Sequence, residues 1–383
     1  MVLKVSRRGN VPPFIVMDVM RAAAEHEAKG DNVLHLEVGQ PSTGAPQGVV
    51  EAARAALGQT LGYTDALGVP ALRSAIARHY AHQYGIDLDP GRVVVTTGSS
   101  GAFLLSFLAS FEPGDKVGLA SPSYPAYRNI LTALGVVPIE LEAGAGQRYQ
   151  ATVDLVRNSP EKLDGLIVAS PANPTGSMLS AQDLAALARY CESAGIRFVS
   201  DEIYHGIVYE GAAATALASS DRAIVINSFS KYFSMTGWRL GWMIVPPELT
   251  RAVECLAQNL FISPPAISQV AAIAAFDCRE ELDRNVARYR ENRELLLQEL
   301  PKAGFDRLAP ADGAFYLYAD ISALTNDSRE FCSRMLREIG IACTPGIDFD
   351  PARGHSTLRF SFAGSTATMA EAAKRLKGWT LKG

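Results

Sequence analysis

The chain has no excess of charge of either sign. Lys and Arg number 36 against 40 Asp and Glu, a net charge of −4 over 383 residues. There is thus no basic surplus of the kind that holds nucleic acid. Long apolar runs are also missing, and nothing approaches the about eighteen residues that cross a bilayer. Lys4, Arg7 and Arg8 are followed only by residues 14–17 as an apolar stretch, too short for the core of a signal peptide. Cysteine is scarce. Cys191, Cys255, Cys278, Cys332 and Cys343 are odd in number, widely spaced and without a CxxC pair, which argues against a zinc site and a disulfide framework. Reduced thiols in a cytoplasm are the expectation. The six histidines form no HxxxH-type pair. Apolar residues make up 48% and charged residues 20% of the chain, which excludes disorder and coiled coil as overall descriptions.

What is present is an alternation. Short β-branched runs at 93–97, 117–120, 166–169, 196–200 and 223–226 are separated by helical patterns, among them 99–111 and the stretch opened by Ser180-Ala181-Gln182-Asp183 and closed by Gly195. Strand–helix alternation predicts an α/β domain with a largely parallel sheet. The unusual polar residues fall just after the strand runs: Gly98-Ser99-Ser100, Tyr124, Asn173, Asp201 and Ser228 to Lys231. Ligands in open α/β sheets bind beyond the carboxyl ends of the strands, so five loops can converge on one site. The tail differs, with a long charged helix at 279–300, a strand at 313–321 and a helix at 328–339, which reads as a smaller α+β unit.

The strongest motif is Ser228-Phe229-Ser230-Lys231-Tyr232-Phe233-Ser234-Met235-Thr236-Gly237-Trp238-Arg239-Leu240-Gly241. A lysine in a partly desolvated site loses proton affinity and becomes a nucleophilic amine, the requirement for a Schiff base with an aldehyde. Arg239, eight residues on, offers a planar charged fork suited to phosphate. This Ser-x-Ser-Lys-x-x-Ser-x-x-Gly-x-Arg-x-Gly pattern resembles the lysine motif of class I/II aminotransferases, the aspartate-aminotransferase-like branch of fold-type I enzymes that use pyridoxal 5′-phosphate (PLP). The resemblance runs from about Leu36 to Phe362, with its motifs in family order.

The resemblance implies a large PLP-binding domain over 41–280, with a mostly parallel seven-stranded sheet flanked by helices. A smaller α+β domain follows over 281–383, and residues 1–40 pack with it. Lys231 would carry the cofactor as an aldimine. Asp201, in Ser200-Asp201-Glu202-Ile203-Tyr204, would pair with the pyridine nitrogen, and Tyr204 with the 3′-oxygen. A carboxylate there favours the protonated ring, which is the better electron sink. Asn173, in Pro171-Ala172-Asn173-Pro174-Thr175-Gly176, would touch the 3′-oxygen and the substrate carboxylate. Ser99 and Ser100 at a helix start, with Ser228 and Arg239, would form the phosphate cup. Ser228 is favoured over Ser230 as the direct ligand. Tyr124 would stack on the ring, while Tyr127 is read as structural. Tyr63 would reach the phosphate of a neighbouring subunit, which makes a homodimer with shared sites. Arg359, in Thr357-Leu358-Arg359-Phe360-Ser361-Phe362, would hold the substrate α-carboxylate as a bidentate fork, with the backbone of Gly39 beside it. An internal salt bridge is the alternative for Arg359.

The implied reaction is a ping-pong transfer of an α-amino group to a 2-oxo acid. A PLP-dependent β-lyase shares the same residues and stays open as the alternative. A non-catalytic PLP-binding regulator fits less well, because fewer than forty residues precede Gly39. Neither 261–265 nor 98–112 contains Arg or Lys to receive a second carboxylate, and 11–16 is apolar. Both point to a neutral amino-acid donor.

Overall fold

A computed structural model of the chain describes residues 3–380; residues 1–2 and 381–383 of the two terminal segments lie outside the described residues. Leu34–His35 forms β1. The strands of the large sheet are β2 (Val93–Thr96), β3 (Lys116–Ser121), β4 (Val137–Glu142), β5 (Gly165–Ala169), β6 (Arg197–Asp201), β7 (Ile224–Ser228) and β8 (Gly241–Ile244). Their spatial order is β2-β8-β7-β6-β5-β3-β4. Only β8 runs against its neighbours, so the sheet is seven-stranded and mostly parallel, as expected.

Successive strand side chains point to opposite faces, and here they feed two different cores. Val94, Ile167, Val199, Ile226 and Met243 join one apolar cluster. Their neighbours Val93, Val95, Val168, Phe198, Val225 and Trp242 join the other. A sheet covered on both faces needs continuous apolar strands, which is why these runs are legible as strands at all. Two strands escape that reading. β4 is an edge strand with Pro138 and exposed Glu140 and Glu142, so it carries no apolar run. β8 starts on Gly241, the last residue of the lysine motif, and is four residues long.

The helices end as their caps dictate. Ser180 Oγ accepts Asp183 N at 3.1 Å to open Ala181–Ala194, and Gly195 closes it at φ 70°. Asp327 accepts from Arg329 N and Glu330 N to open Ser328–Ile339, which Gly340 closes at φ 63°.

The second sheet comprises β9 (Arg307–Leu308), β10 (Tyr316–Asp320), β12 (Thr344–Pro345) and β13 (Thr357–Ser361), in antiparallel order β12-β13-β10-β9. β11 (Ile341–Ala342) pairs in parallel with β1. Near them, helix Ile15–Glu27 buries Ala23 against Leu336 and Ala342. Asp348 accepts Ile15 N at 3.1 Å and Val16 N at 3.3 Å, satisfying donors that the first helical turn leaves open. One apolar cluster runs unbroken from Phe103 and Val117 to Phe305, Phe331 and Leu376. The two sheets therefore share one core.

Candidate active site

The carboxyl ends of β2, β3, β5, β6 and β7 lead directly into the predicted loops. At the first of these, Gly98 opens helix Gly98–Ser110 at φ 70°, a conformation that glycine adopts without strain. A Cβ there would stand 2.6 Å from Arg239 Nη2. On Gly241 a Cβ would stand 2.8 Å from Ser99 N. The backbone is thus stripped of side chains where the helix N-terminus, Ser99, Ser100 and the guanidinium of Arg239 meet. Free amides, a helix dipole and one cation make an anion cup. Arg239 is exposed and spends only Nη1 on Thr236 O, at 3.0 Å. Ser228 is buried at the end of β7, and its hydroxyl serves its own loop, accepting Ser230 N at 3.0 Å and donating to Leu240 O at 3.4 Å. The Ser230 hydroxyl has no hydrogen bond among the described residues, so of the two it is the freer donor.

Asp201, the last residue of β6, is 2% exposed. It accepts from Ile203 N at 3.1 Å and from the Tyr127 hydroxyl. No cation pairs with it among the described residues. Burial therefore lifts its carboxyl to about 6, against the two hydrogen bonds and Lys231, which lower it. An unpaired buried carboxylate of this kind suits a protonated ring nitrogen.

Lys231 is half-buried, and Nζ donates to Gly39 O at 2.6 Å. Burial, followed by the nearby Arg359 and Arg239, lowers its amine to about 8; Asp201 pulls the other way. Its Nζ also lies 5.8 Å from the centre of the Tyr204 ring. Residues of four separated motifs, Gly39, Asp201 with Tyr204, Lys231 with Arg239, and Arg359, are therefore brought together around the amine.

Arg359 is 3% exposed on β13. Its guanidinium lies between two rings, 4.3 Å from that of Tyr316 and 4.8 Å from that of Phe349. Nη1 donates to Asn173 Oδ1 at 2.7 Å, and Nη2 to Glu37 O and to Thr344 Oγ1 at 3.2 Å. These acceptors are all neutral and Nε has none. The internal salt bridge held open above is absent among the described residues. A buried cation without a counter-charge is an anion site in waiting.

Tyr124 caps helix Pro125–Leu134 and meets Tyr127 and Phe14 edge-on at 5.3 and 5.6 Å. Burial lifts its hydroxyl to about 12. Tyr63 stands apart from this cluster: it is 84% exposed and makes no hydrogen bond or ring contact among the described residues.

Two tyrosines at the site carry no sequence signal for it. Tyr127 lies one helical turn after Tyr124, and it reads as core until its hydroxyl is seen on Asp201. Tyr316 reads as an ordinary strand aromatic, yet it touches Arg359 through its ring and Tyr204 through its hydroxyl, at 2.6 Å.

The sequence pattern defining aminotransferase class I and II matches residues 31–376. The valine–pyruvate aminotransferase of Mycobacterium tuberculosis is 52% identical over 98% of both chains. A crystal structure of an aminotransferase from Mycobacterium tuberculosis superposes with a TM-score of 0.98 at 51% identity, covering 100% of both chains. The aspartate aminotransferase from Thermus thermophilus with maleate gives a TM-score of 0.93 at 31% identity, covering 98% of this chain and 100% of that one.

Proposed function

The chain belongs to the class I and II aminotransferases, and we propose that it works with pyridoxal 5′-phosphate in this cleft, moving the α-amino group of a neutral amino acid to a 2-oxo acid. The carrying observation is that an amine lowered to about 8, an unpaired buried carboxylate and an unpaired buried arginine lie close enough to act on one another. The residues fit the cofactor at each end. The cup of Gly98, Ser99, Ser100, Arg239 and a serine of 228–230 takes the phosphate. Asp201 takes the ring nitrogen, Tyr204 and Asn173 the 3′-oxygen, and Tyr124 the ring face. When bound, the cofactor supplies the aldehyde and the electron sink.

The chain's own residues do the rest. Arg359, set against the two rings and Asn173, offers the substrate carboxylate its free Nε and the second proton of Nη1, and Nη2 where the carboxylate displaces Thr344 Oγ1. Substrate arrival gives that guanidinium the counter-charge it lacks. Lys231 Nζ, part of it unprotonated near neutral pH, is the base for the α-proton, and its tether to Gly39 O aims it. The Tyr127 hydroxyl and Ile203 N fix the Asp201 carboxylate.

Support for a neutral aliphatic donor is threefold: the absence of Arg and Lys in 98–112 and 261–265, the apolar side chain of Phe14 against Tyr124, and the name of the 52%-identical relative. Valine with pyruvate is accordingly the first pair to try. We place the working unit at two copies. Tyr63, Leu61, Leu260 and Ile262 are exposed by 84, 44, 48 and 51%, and Thr64 N donates to Ser263 Oγ at 3.3 Å, which ties together the two segments that carry them. Among the described residues no helix is long and apolar enough to cross a membrane; a cytoplasmic setting with reduced thiols is proposed on the cysteine pattern.

The test is a half-reaction screen. Purified protein loaded with the cofactor is mixed with single amino acids and its visible absorbance followed. Valine and its neutral relatives should bleach it fastest, and pyruvate should restore it. Preferred bleaching by aspartate would overturn the donor class. Steady release of ammonia from one amino acid, with no acceptor present, would overturn transfer in favour of elimination.

A further inference from the structure

Tyr316 is almost fully buried, at 1% exposure, on β10. In the antiparallel pairing of β10 with β13, Tyr316 faces Ser361 and Tyr318 faces Arg359. Residues opposite each other in such a ladder share a face, so Tyr316 and Arg359 are diagonal neighbours on it. That register lays the Tyr316 ring against the guanidinium, at 4.3 Å. The hydroxyl at the far end of the ring meets the Tyr204 hydroxyl at 2.6 Å. The fold has made room for it, because a Cβ on Gly39 would run into that same hydroxyl. Gly39 is also the residue whose carbonyl holds Lys231 Nζ.

Each tyrosine hydroxyl has one proton to donate. Neither hydroxyl has another hydrogen-bond partner in the described chain. The pair therefore has two arrangements. If Tyr204 donates to Tyr316, the proton of Tyr204 is used up inside the protein. If Tyr316 donates to Tyr204, the Tyr204 proton is left for an acceptor in the cleft, and a bond received at its oxygen makes Tyr204 the stronger donor.

We propose that Tyr316 is a positioning residue with two separable tasks: its hydroxyl turns the Tyr204 proton toward the cofactor 3′-oxygen, and its ring backs the carboxylate-binding Arg359. The proposal rests on the roles given above to Tyr204 and Arg359. One side chain on the second sheet then serves both the cofactor end and the substrate end of the cleft.

Tyr316→Phe removes the hydroxyl and keeps the ring. The pH midpoint of the bound cofactor's visible absorbance should rise, because a weaker bond to the 3′-oxygen favours the protonated form of the chromophore. For the loss of one net hydrogen bond, the rise should be about 0.5–1 on the pH scale. Binding of a substrate-like carboxylate inhibitor should stay within about twofold of the parent. Tyr316→Leu, which also removes the ring, should weaken that inhibitor by about tenfold, the size of one cation–π contact. In a Tyr204→Phe background, Tyr316→Phe should move the midpoint no further, since the effect runs through Tyr204.

A midpoint unmoved by Tyr316→Phe, while Tyr204→Phe moves it, overturns this proposal and leaves the reading of Tyr204 standing. An equal rise from Tyr316→Phe with and without Tyr204 overturns it too, because the effect would then bypass the pair. If Tyr204→Phe itself leaves the midpoint unmoved, the reading of Tyr204 falls and this proposal falls with it.

Discussion

Replacing Asp201 by Asn should stabilise the cofactor-free protein and damage the enzyme. The carboxyl is raised by burial from 3.8 to about 6, so its favourable form in the empty fold is the protonated one. The contribution of such a group is fully present below pH 3.8 and is lost as pH rises through about 6. At about 1.4 kcal/mol for each tenfold change in proton affinity, the ionised carboxylate costs the fold about 3 kcal/mol at pH 8 and about half that at pH 5. Asn keeps one oxygen for Ile203 N, turns its amide NH2 toward the Tyr127 oxygen where the second carboxylate oxygen had accepted the hydroxyl, and has no charge to bury. Denaturant unfolding of cofactor-stripped parent and variant at the two pH values reads the difference directly. The variant should lead at both, by about 1.5 kcal/mol more at pH 8 than at pH 5. With the cofactor loaded the order reverses. A charged hydrogen bond worth about 1.5–3 kcal/mol is gone, and turnover should drop ten- to a hundredfold or so. A stability gap that does not widen with pH would refute the claim that Asp201 sits unpaired in an apolar setting.

Three further outcomes follow from the same geometry. Gly98→Ala should weaken cofactor binding by about tenfold or more in a fluorescence titration, because it adds left-handed strain of about 1–2 kcal/mol and pushes on Arg239. Arg359→Lys should raise KM for the amino acid by about a hundredfold, since an ammonium cannot form the bidentate fork or lie flat between Tyr316 and Phe349. His205, buried against Tyr84 and Ser170 O, is lowered by burial to about 4. The unfolded chain takes up that proton first between about pH 6.5 and 4, so stability declines as pH falls through this window. In His205→Gln the decline should be shallower by about 2 kcal/mol between unfolding curves at pH 6.5 and 4.5.

The parallel strands and their loops are legible because burial on both faces writes itself as apolar runs. Helix Ala181–Ala194 is legible from its own cap and stop residues. The lysine loop, Asp201, Asn173 and Arg359 are legible because each lies in a short local motif. Tyr127 and Tyr316 are not, and the reason is distance along the chain. Their meaning lies in partners 74 and 112 residues away, and no local pattern carries that. Motif position alone favours Ser228, whereas its hydroxyl is occupied by Ser230 N and Leu240 O. β4 escapes for a different reason, since an exposed edge has no buried face to announce it.

Function, rather than folding, also explains why the site's charged groups look wrong to rules of folding. Arg359 is buried among neutral acceptors, Asp201 has no cation, and the Lys231 amine is lowered by burial and by two arginines. Each of these weakens the empty fold, and the three sit together. A chain that only needed to fold would pair Arg359 with Asp201 or replace both. Here β13 holds one and β6 the other, and Tyr316 of the second sheet bonds to Tyr204, three residues beyond Asp201. On the proposed function the pairing is left to what binds between them: a carboxylate for Arg359, a protonated nitrogen for Asp201 and a carbonyl carbon for Lys231. Ligand binding should for that reason tie the two sheets together, and the stability lost in the empty cleft is the part of the folding free energy that the cofactor and substrate return.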